Sequence, residues 1–339
     1  MPPLPADARR VTGSYLQPLL EAAAARGVDA QALARAAGLP ESALWPLPES
    51  LAADDYVQLL DVGAELTGDA HFGLHVGERV KLGTYSVYGL ILLSCTNFGH
   101  AFQQTQRYEQ LAHDLGRSSL QLDDGMAHYE WISNYPATRR HLVESVFAGI
   151  RVFGNWLAGM TLPSPSLAFV HDDAVDGAEY TRIFGATPTF GAARNVASFD
   201  AALLAWPVPN ADVGLYPVLQ QHAETLLKQR HVEDQGVVAQ VHAAIITGLA
   251  HDRVRLSSIA EQLKLSPRTL QRKLSDAGAS FQQVLDQARY ALAKDYLRQP
   301  GLSLVDIAFL LGYQEQSAFN HAFKEWAGIN PGAYRDQRR

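Results

Sequence analysis

The last hundred residues carry a repeat, and it constrains the fold more tightly than any other feature of the chain. Leu256-Ser-Ser-Ile-Ala-Glu-Gln-Leu263 returns as Leu304-Val-Asp-Ile-Ala-Phe-Leu-Leu311, with Leu, Ile, Ala and Leu recurring at an offset of 48. Past the following turn the offset is 49, which pairs Leu270 with Phe319 and Leu274 with Phe323. Each copy reads as a short helix, a tight turn and a second helix ended by glycine (Gly278, Gly328), which is helix-turn-helix grammar. Ala260 and Ala308 are small where two helices must cross closely. Ser266 suits an N-cap and Pro267 the first helical position, while Leu270 and Leu274 point inward at i, i+4.

That geometry puts Arg268, Gln271 and Arg272 on the outward side of one helix. Arginine is the natural bidentate reader of guanine in the major groove, and glutamine of adenine. Ser266, Thr269, Lys273 and Arg289 are candidates for phosphate contacts. Between the copies, Phe281–Leu297 reads as one helix of 17 residues. At ~1.5 Å per residue it spans about 26 Å. With the bodies of the two units added, a separation near one turn of DNA, roughly 34 Å, is within reach.

The net charge of −7 argues against a polyanionic partner until it is divided. From Asp252 onward there are 13 Lys/Arg against 9 Asp/Glu, a net +4. The preceding residues hold the remaining 15 basic and 26 acidic side chains, a net −11. An acidic module joined to a mildly basic one fits a reader of nucleic acid. At 339 residues, two domains are expected. No apolar run approaches the roughly 20 residues of a membrane helix. The N-terminus lacks the basic start and apolar core of a secretion signal, and the single cysteine, Cys95, excludes a disulfide framework. A cytoplasmic protein without membrane contact is the expectation.

Upstream, helices are predicted at Tyr15–Gly27, from Asp29 to Gly38, from Asp54 to Gly68 and from Asn97 to about Gly116. Alternating "SSLQLDD" and "MAHYEWISNY" flank Asp124-Gly125 and predict a β-hairpin. Helix returns from Thr138 to about Met160, followed by strands at "PSLAFVHDD" and "NVASFDAALL" around a short helix at "DGAEYTRIFG". The fold class expected is an α+β N-terminal sensor or dimerisation domain (1–209) followed by an all-α DNA-binding domain (233–339) with two helix-turn-helix units joined by a helix. Residues 210–232 would form a connecting helix and hinge. The stripe Leu215, Val218, Leu219, Ala223, Leu226 and Leu227 fits a strut, an inter-subunit helix or a helix packed on its own domain.

The segments "IAEQLKLSPRTLQRKL" and "LVDIAFLLGYQEQSAFNHAFKEWAGINPGAYR" resemble the DNA-binding domain of the AraC/XylS family of bacterial transcription regulators. The resemblance implies recognition helices at Pro267–Ala277 and Gln316–Ala327. It carries over Arg268, Gln271 and Arg272 as base-contacting positions in the first, and Gln316, Ser317, Asn320 and His321 in the second. The family usually has arginine where this chain has His321, so the second unit is expected to read less sequence. Residues 15–209, through "LARAAGLP", "KLGTYSVYG" and "EYTRIFGATPTFGAARNVASFDAALLAWPVP", resemble the sensor domain named after arabinose binding.

For a small-molecule effector, Tyr85, Tyr88, His128 and Trp131, with Tyr129, offer aromatic bodies with polar tips. Arg107, Arg140 and Arg151 would suit a carboxylate ligand or ordinary ion pairs. Two rival functions remain: a dimeric DNA-binding regulator without ligand, and a DNA-tethered phosphoesterase using a metal at His113-Asp114 or His171-Asp172-Asp173. No phosphate loop, nucleophile elbow or HExxH motif supports an enzyme, and no cofactor is expected. Double-stranded promoter DNA, RNA polymerase and a second copy of the chain are the expected partners, with activation favoured over repression on family grounds.

Overall fold

The computed structural model describes residues 9–172, 177–234, 236–249, 254–299 and 301–336. Packing divides the chain into two units, with the boundary between Leu227 and Lys228.

The first unit begins with a two-stranded antiparallel ribbon, β1 (Arg10–Thr12) and β2 (Ser50–Ala52), which supports helices α1 (Gly13–Ala24), α2 (Ala30–Ala36) and α3 (Ala53–Thr67). The predicted caps are present. Asp29 accepts from the Ala32 amide at 2.7 Å, and Gly68 closes α3 in the left-handed region (φ 63°). Strands of three residues have no periodicity to read, and the ribbon was not predicted. Then come α4 (Phe72–Gly77), α5 (Ser86–Leu93) and α6 (Phe98–Tyr108), with Asn97 capping α6 through the His100 amide at 2.8 Å. Helix α6 stops about two turns earlier than expected, in a 3-10 turn at Glu109–Leu111.

A four-stranded antiparallel sheet follows, in the order β3-β4-β6-β5. β3 (Gly116–Asp123) and β4 (Met126–Ser133) form the predicted hairpin in register Asp123↔Met126. Asp124 and Gly125 both have positive φ (45° and 77°), as a two-residue turn of that twist requires. α7 (Arg140–Ala158) packs on this sheet and against α4, and β5 (Ser166–Ala168), α8 (Gly177–Phe184) and β6 (Val196–Asp200) complete the layer. The α4–α7 crossing is close because α4 places Gly73 and Gly77 on one face. A Cβ on Gly77 would lie 2.6 Å from the Ser145 carbonyl oxygen, and one on Gly73 2.4 Å from that of His141.

Helix α9 (Tyr216–Asp234) corrects the expected linker. Ala223 is fully buried in the first unit's core, with Leu219, Leu226 and Leu227 against it, whereas Leu215 and Val218 are exposed. Tyr108 donates to Glu224 at 2.5 Å and Arg107 pairs with the same carboxylate, so α9 is fastened to the end of α6. Most of 210–232 is therefore part of the first unit. The expected hinge from His231 to Gly236 is helical to Asp234, and Gln235 lies outside the described residues.

The second unit contains α10 (Val237–Leu249), α11 (Leu256–Gln262), α12 (Pro267–Asp276), α13 (Phe281–Leu297), α14 (Leu304–Leu310), α15 (Gln316–Ala327) and α16 (Pro331–Asp336). It has two small cores. One joins Val241, Ile245, Ile259, Leu270, Leu274 and Val284, and the other joins Leu297, Ile307, Leu311, Phe319 and Phe323. α13 contributes to both.

Candidate functional site

The repeat reappears in the second unit atom by atom. Leu265 donates its amide to the Ala260 carbonyl at 2.8 Å, and Tyr313 to that of Ala308 at 2.9 Å. Lys264 (φ 55°) and Gly312 (φ 74°) occupy the same left-handed position in the two turns. In the first copy Ser266 Oγ accepts from the Thr269 amide at 3.1 Å and lies 2.8 Å from the Thr269 hydroxyl, fixing the start of α12. Leu270 and Leu274 are buried, while Arg268, Gln271, Arg272 and Lys273 are exposed. Among the described residues Arg268 and Arg272 have no ion pair or hydrogen-bond partner, so nothing internal occupies their guanidinium groups.

The second copy is less open. Ser317 is exposed and donates to Glu315 at 3.1 Å. His321 is exposed too, with Nδ1 3.5 Å from the Glu325 carboxylate one turn on. Gln316 and Asn320 are half-buried, and the Asn320 side-chain oxygen is enclosed without a partner among the described residues. Arg289 is a correction. Instead of facing outward as a phosphate ligand, it donates to the Leu311 carbonyl at 3.0 Å and stacks 4.5 Å from the Tyr313 ring centre. These contacts hold it against the turn of the second copy.

In the first unit a cavity of about 90 Å³ lies between α1, α5, α6, α7 and the inner face of β4. Tyr85, Tyr88 and Trp131 line it, as do Tyr129 and Tyr15. His128 does not, which corrects the expectation. β4 alternates Ala127, Tyr129 and Trp131 inward with His128 and Glu130 on the other side, where His128 Nδ1 meets Ser198 Oγ at 2.8 Å. Ser86, between Tyr85 and the rest of α5, holds φ 55°, a strained value for a serine beside the cavity. The residue that the sequence reading missed is Glu109. Its side chain is buried and lines the cavity, accepting from the Ser118 amide (2.9 Å) and hydroxyl (2.6 Å). The signal was available: Phe98, Ala101, Phe102, Thr105 and Glu109 fall on one helical stripe, so an inward face ends in a carboxylate. Burial pushes its pKa up, against the lowering effect of Ser118 and Arg117.

The other candidates are accounted for by internal contacts. Arg107 pairs with Glu224, Arg140 contacts Glu144 and the Ala70 carbonyl, and Arg151 donates to the Pro163 and Leu162 carbonyls. Asp114 pairs with Arg117 at 2.8 Å. His171 lies 3.0 Å from the Asp172 carbonyl, and Asp173 lies outside the described residues. The one cluster of metal-ligand type among the described residues is elsewhere, at His75, Glu78 and Glu179. It is already knitted together by Arg182 and Asp69. Cys95 is buried in α5's exit, and desolvation pushes its thiol up to about 12, which leaves it inert.

Two helix-turn-helix copies, at least one with a free cationic and amide-bearing face, define a DNA-binding protein of the helix-turn-helix class. Residues 259–337 match a helix-turn-helix domain family, and residues 27–208 match the family described as the arabinose-binding domain of AraC transcription regulator, N-terminal. The chain is 30% identical over 339 residues to the ornithine utilization regulator of Pseudomonas aeruginosa, covering 98% of each. It is 32% identical over 184 residues to the regulator VirS of Mycobacterium tuberculosis, covering 53% of this chain and 52% of VirS. The crystal structure of the transcriptional regulator CdpR from Pseudomonas aeruginosa aligns over 95% of this chain and 98% of that one, at 21% identity and a TM-score of 0.48. The chain belongs to the AraC family of helix-turn-helix transcription regulators. It is a DNA-binding regulator, not an enzyme, and no described helix is long and apolar enough to cross a membrane.

Proposed function

We propose that this regulator is an effector-controlled transcription activator that binds promoter DNA through α12 and α15 in successive major grooves. The observation that carries the reading is the uncommitted face of α12. Arg268, Gln271 and Arg272 are exposed opposite the buried Leu270 and Leu274, in the position from which base edges are read. On this reading Ser266, Thr269 and Lys273 anchor phosphates, and Ser317, His321, Gln316 and Asn320 mainly orient the second unit. The cavity in the first unit receives a small effector, which shifts the population competent for DNA. The same reading takes the regulator to act as a homodimer in the cytoplasm and to contact RNA polymerase.

Selection from a random double-stranded DNA library tests the DNA half. Wild type should enrich a bipartite site, and Arg268→Ala and Arg272→Ala should each relax about 1–3 kcal/mol of discrimination at one base pair. Identical selected sequences from wild type and both variants would overturn the assignment of α12. A melting temperature unmoved by every metabolite in a broad panel would favour the ligand-free dimer.

A further inference from the structure

The cavity's lining says what kind of molecule it suits. Among the described residues its only carboxylate is Glu109, and no Lys or Arg lines it. Glu109 is 2% exposed and has no ion pair among the described residues. Arg117 offsets the burial of this charge only in part and is itself paired to Asp114 at 2.8 Å, so a cationic ligand would stabilise the carboxylate further. Around it stand π faces. Tyr15 and Tyr85 lie 6.2 Å apart, Tyr85 and Tyr88 5.2 Å, and Tyr85 and Phe153 5.2 Å between ring centres. Such faces attract cations. Tyr85 and Tyr88 both line the cavity, and their hydroxyls can donate to or accept from a ligand there.

Other ligand classes fit poorly. An anion would face Glu109 with no Lys or Arg in the lining, only the His113 imidazole, which stacks 4.7 Å from the Tyr15 ring centre. A sugar ring with its hydroxyls is bulkier than benzene and exceeds the space. At about 90 Å³ the space is smaller than the roughly 150 Å³ apolar cavity that admits benzene, so the ligand is compact.

We propose that this cavity is a binding site for a small primary organic ammonium ion, paired to Glu109 inside the cage of Tyr15, Tyr85, Tyr88 and Phe153. The proposal rests on the reading of the first unit as an effector domain and names the class of effector. Ser118 holds Glu109 in place through its amide and hydroxyl, and Tyr129, 2.7 Å from the Ser118 hydroxyl, extends the chain of hydrogen bonds. The carboxylate is thereby positioned before any ligand enters.

The test is a ligand-observed NMR titration of the full chain with n-propylammonium, its neutral isostere propan-1-ol, propionate and L-arabinose. Wild type should bind n-propylammonium in preference to the other three. Glu109→Gln should weaken that binding by on the order of tenfold to a hundredfold while leaving propan-1-ol unchanged, and Tyr85→Leu should weaken it without removing the charge preference. Near-UV circular dichroism checks that each variant keeps its packing. If Glu109→Gln does not fold, the preference of wild type for the ammonium over its isostere decides alone. Equal binding of the ammonium and the alcohol overturns the proposal and leaves an effector domain for neutral ligands. Binding of propionate or arabinose with the ammonium silent overturns it likewise, and again leaves the effector reading intact. No binding of any probe also overturns it, and the metabolite panel then judges the effector reading independently.

Discussion

Ser266 shows how much one side chain settles. Its hydroxyl accepts from the Thr269 amide in the first turn of α12 and so fixes where Arg268, Gln271 and Arg272 emerge. Ser266→Ala should lower stability by about 1 kcal/mol, read by urea denaturation, while Ser266→Asp should retain it. Glu179 contributes to the acid limb of stability. Arg182 holds its carboxyl down to about 2 from the ordinary 4.5, with His75 assisting. A carboxyl whose pKa is depressed on folding stabilises fully above its unfolded value, and that contribution is lost as pH falls through the folded one. Glu179→Gln should therefore flatten the loss of stability between about pH 4.5 and pH 2 and leave the neutral plateau lower. An unchanged acid limb would remove the Arg182–Glu179 pair from the account.

Among the elements, the helix crossing of α4 on α7 is the least forgiving. At Gly77 an added methyl meets Ala148 Cβ at 2.5 Å and backbone at 2.6 Å, neither of which can swing away. Gly77→Ala should cost about 1–3 kcal/mol or more by thermal unfolding of the first unit. This crossing also marks where sequence reading runs out. Amphipathic helices, caps and the Asp124-Gly125 hairpin were legible because each is written in a local period or a turn residue. The two repeated units were legible twice over. Gly73 and Gly77 were not, because their meaning depends on a helix almost seventy residues away. Glu109 was legible as part of a stripe but not as part of a site, since the sheet that closes the cavity over it comes later in the chain. His128 was misassigned although the strand's own alternation separates it from Tyr129 and Trp131. Arg289 was misassigned because a helix surface position gives no hint that a carbonyl from the next unit waits beside it.

For the molecule as a whole, the sign asymmetry between the two units predicts a binding constant governed by salt. The logarithm of affinity for a specific site should fall linearly with that of salt concentration, and Lys273→Ala should reduce the slope by about 1 with little change in sequence preference. A change in preference without a change in slope would move Lys273 from phosphate to base. The second unit's two cores carry a different kind of consequence. Leu270 and Leu274 shelter in one and Phe319 and Phe323 in the other, with only α13 in common. A substitution on the outer face of α15 therefore leaves the packing of α12 untouched. Over generations the two reading heads can change independently, one holding an inherited operator while the other is free to drift toward a new one.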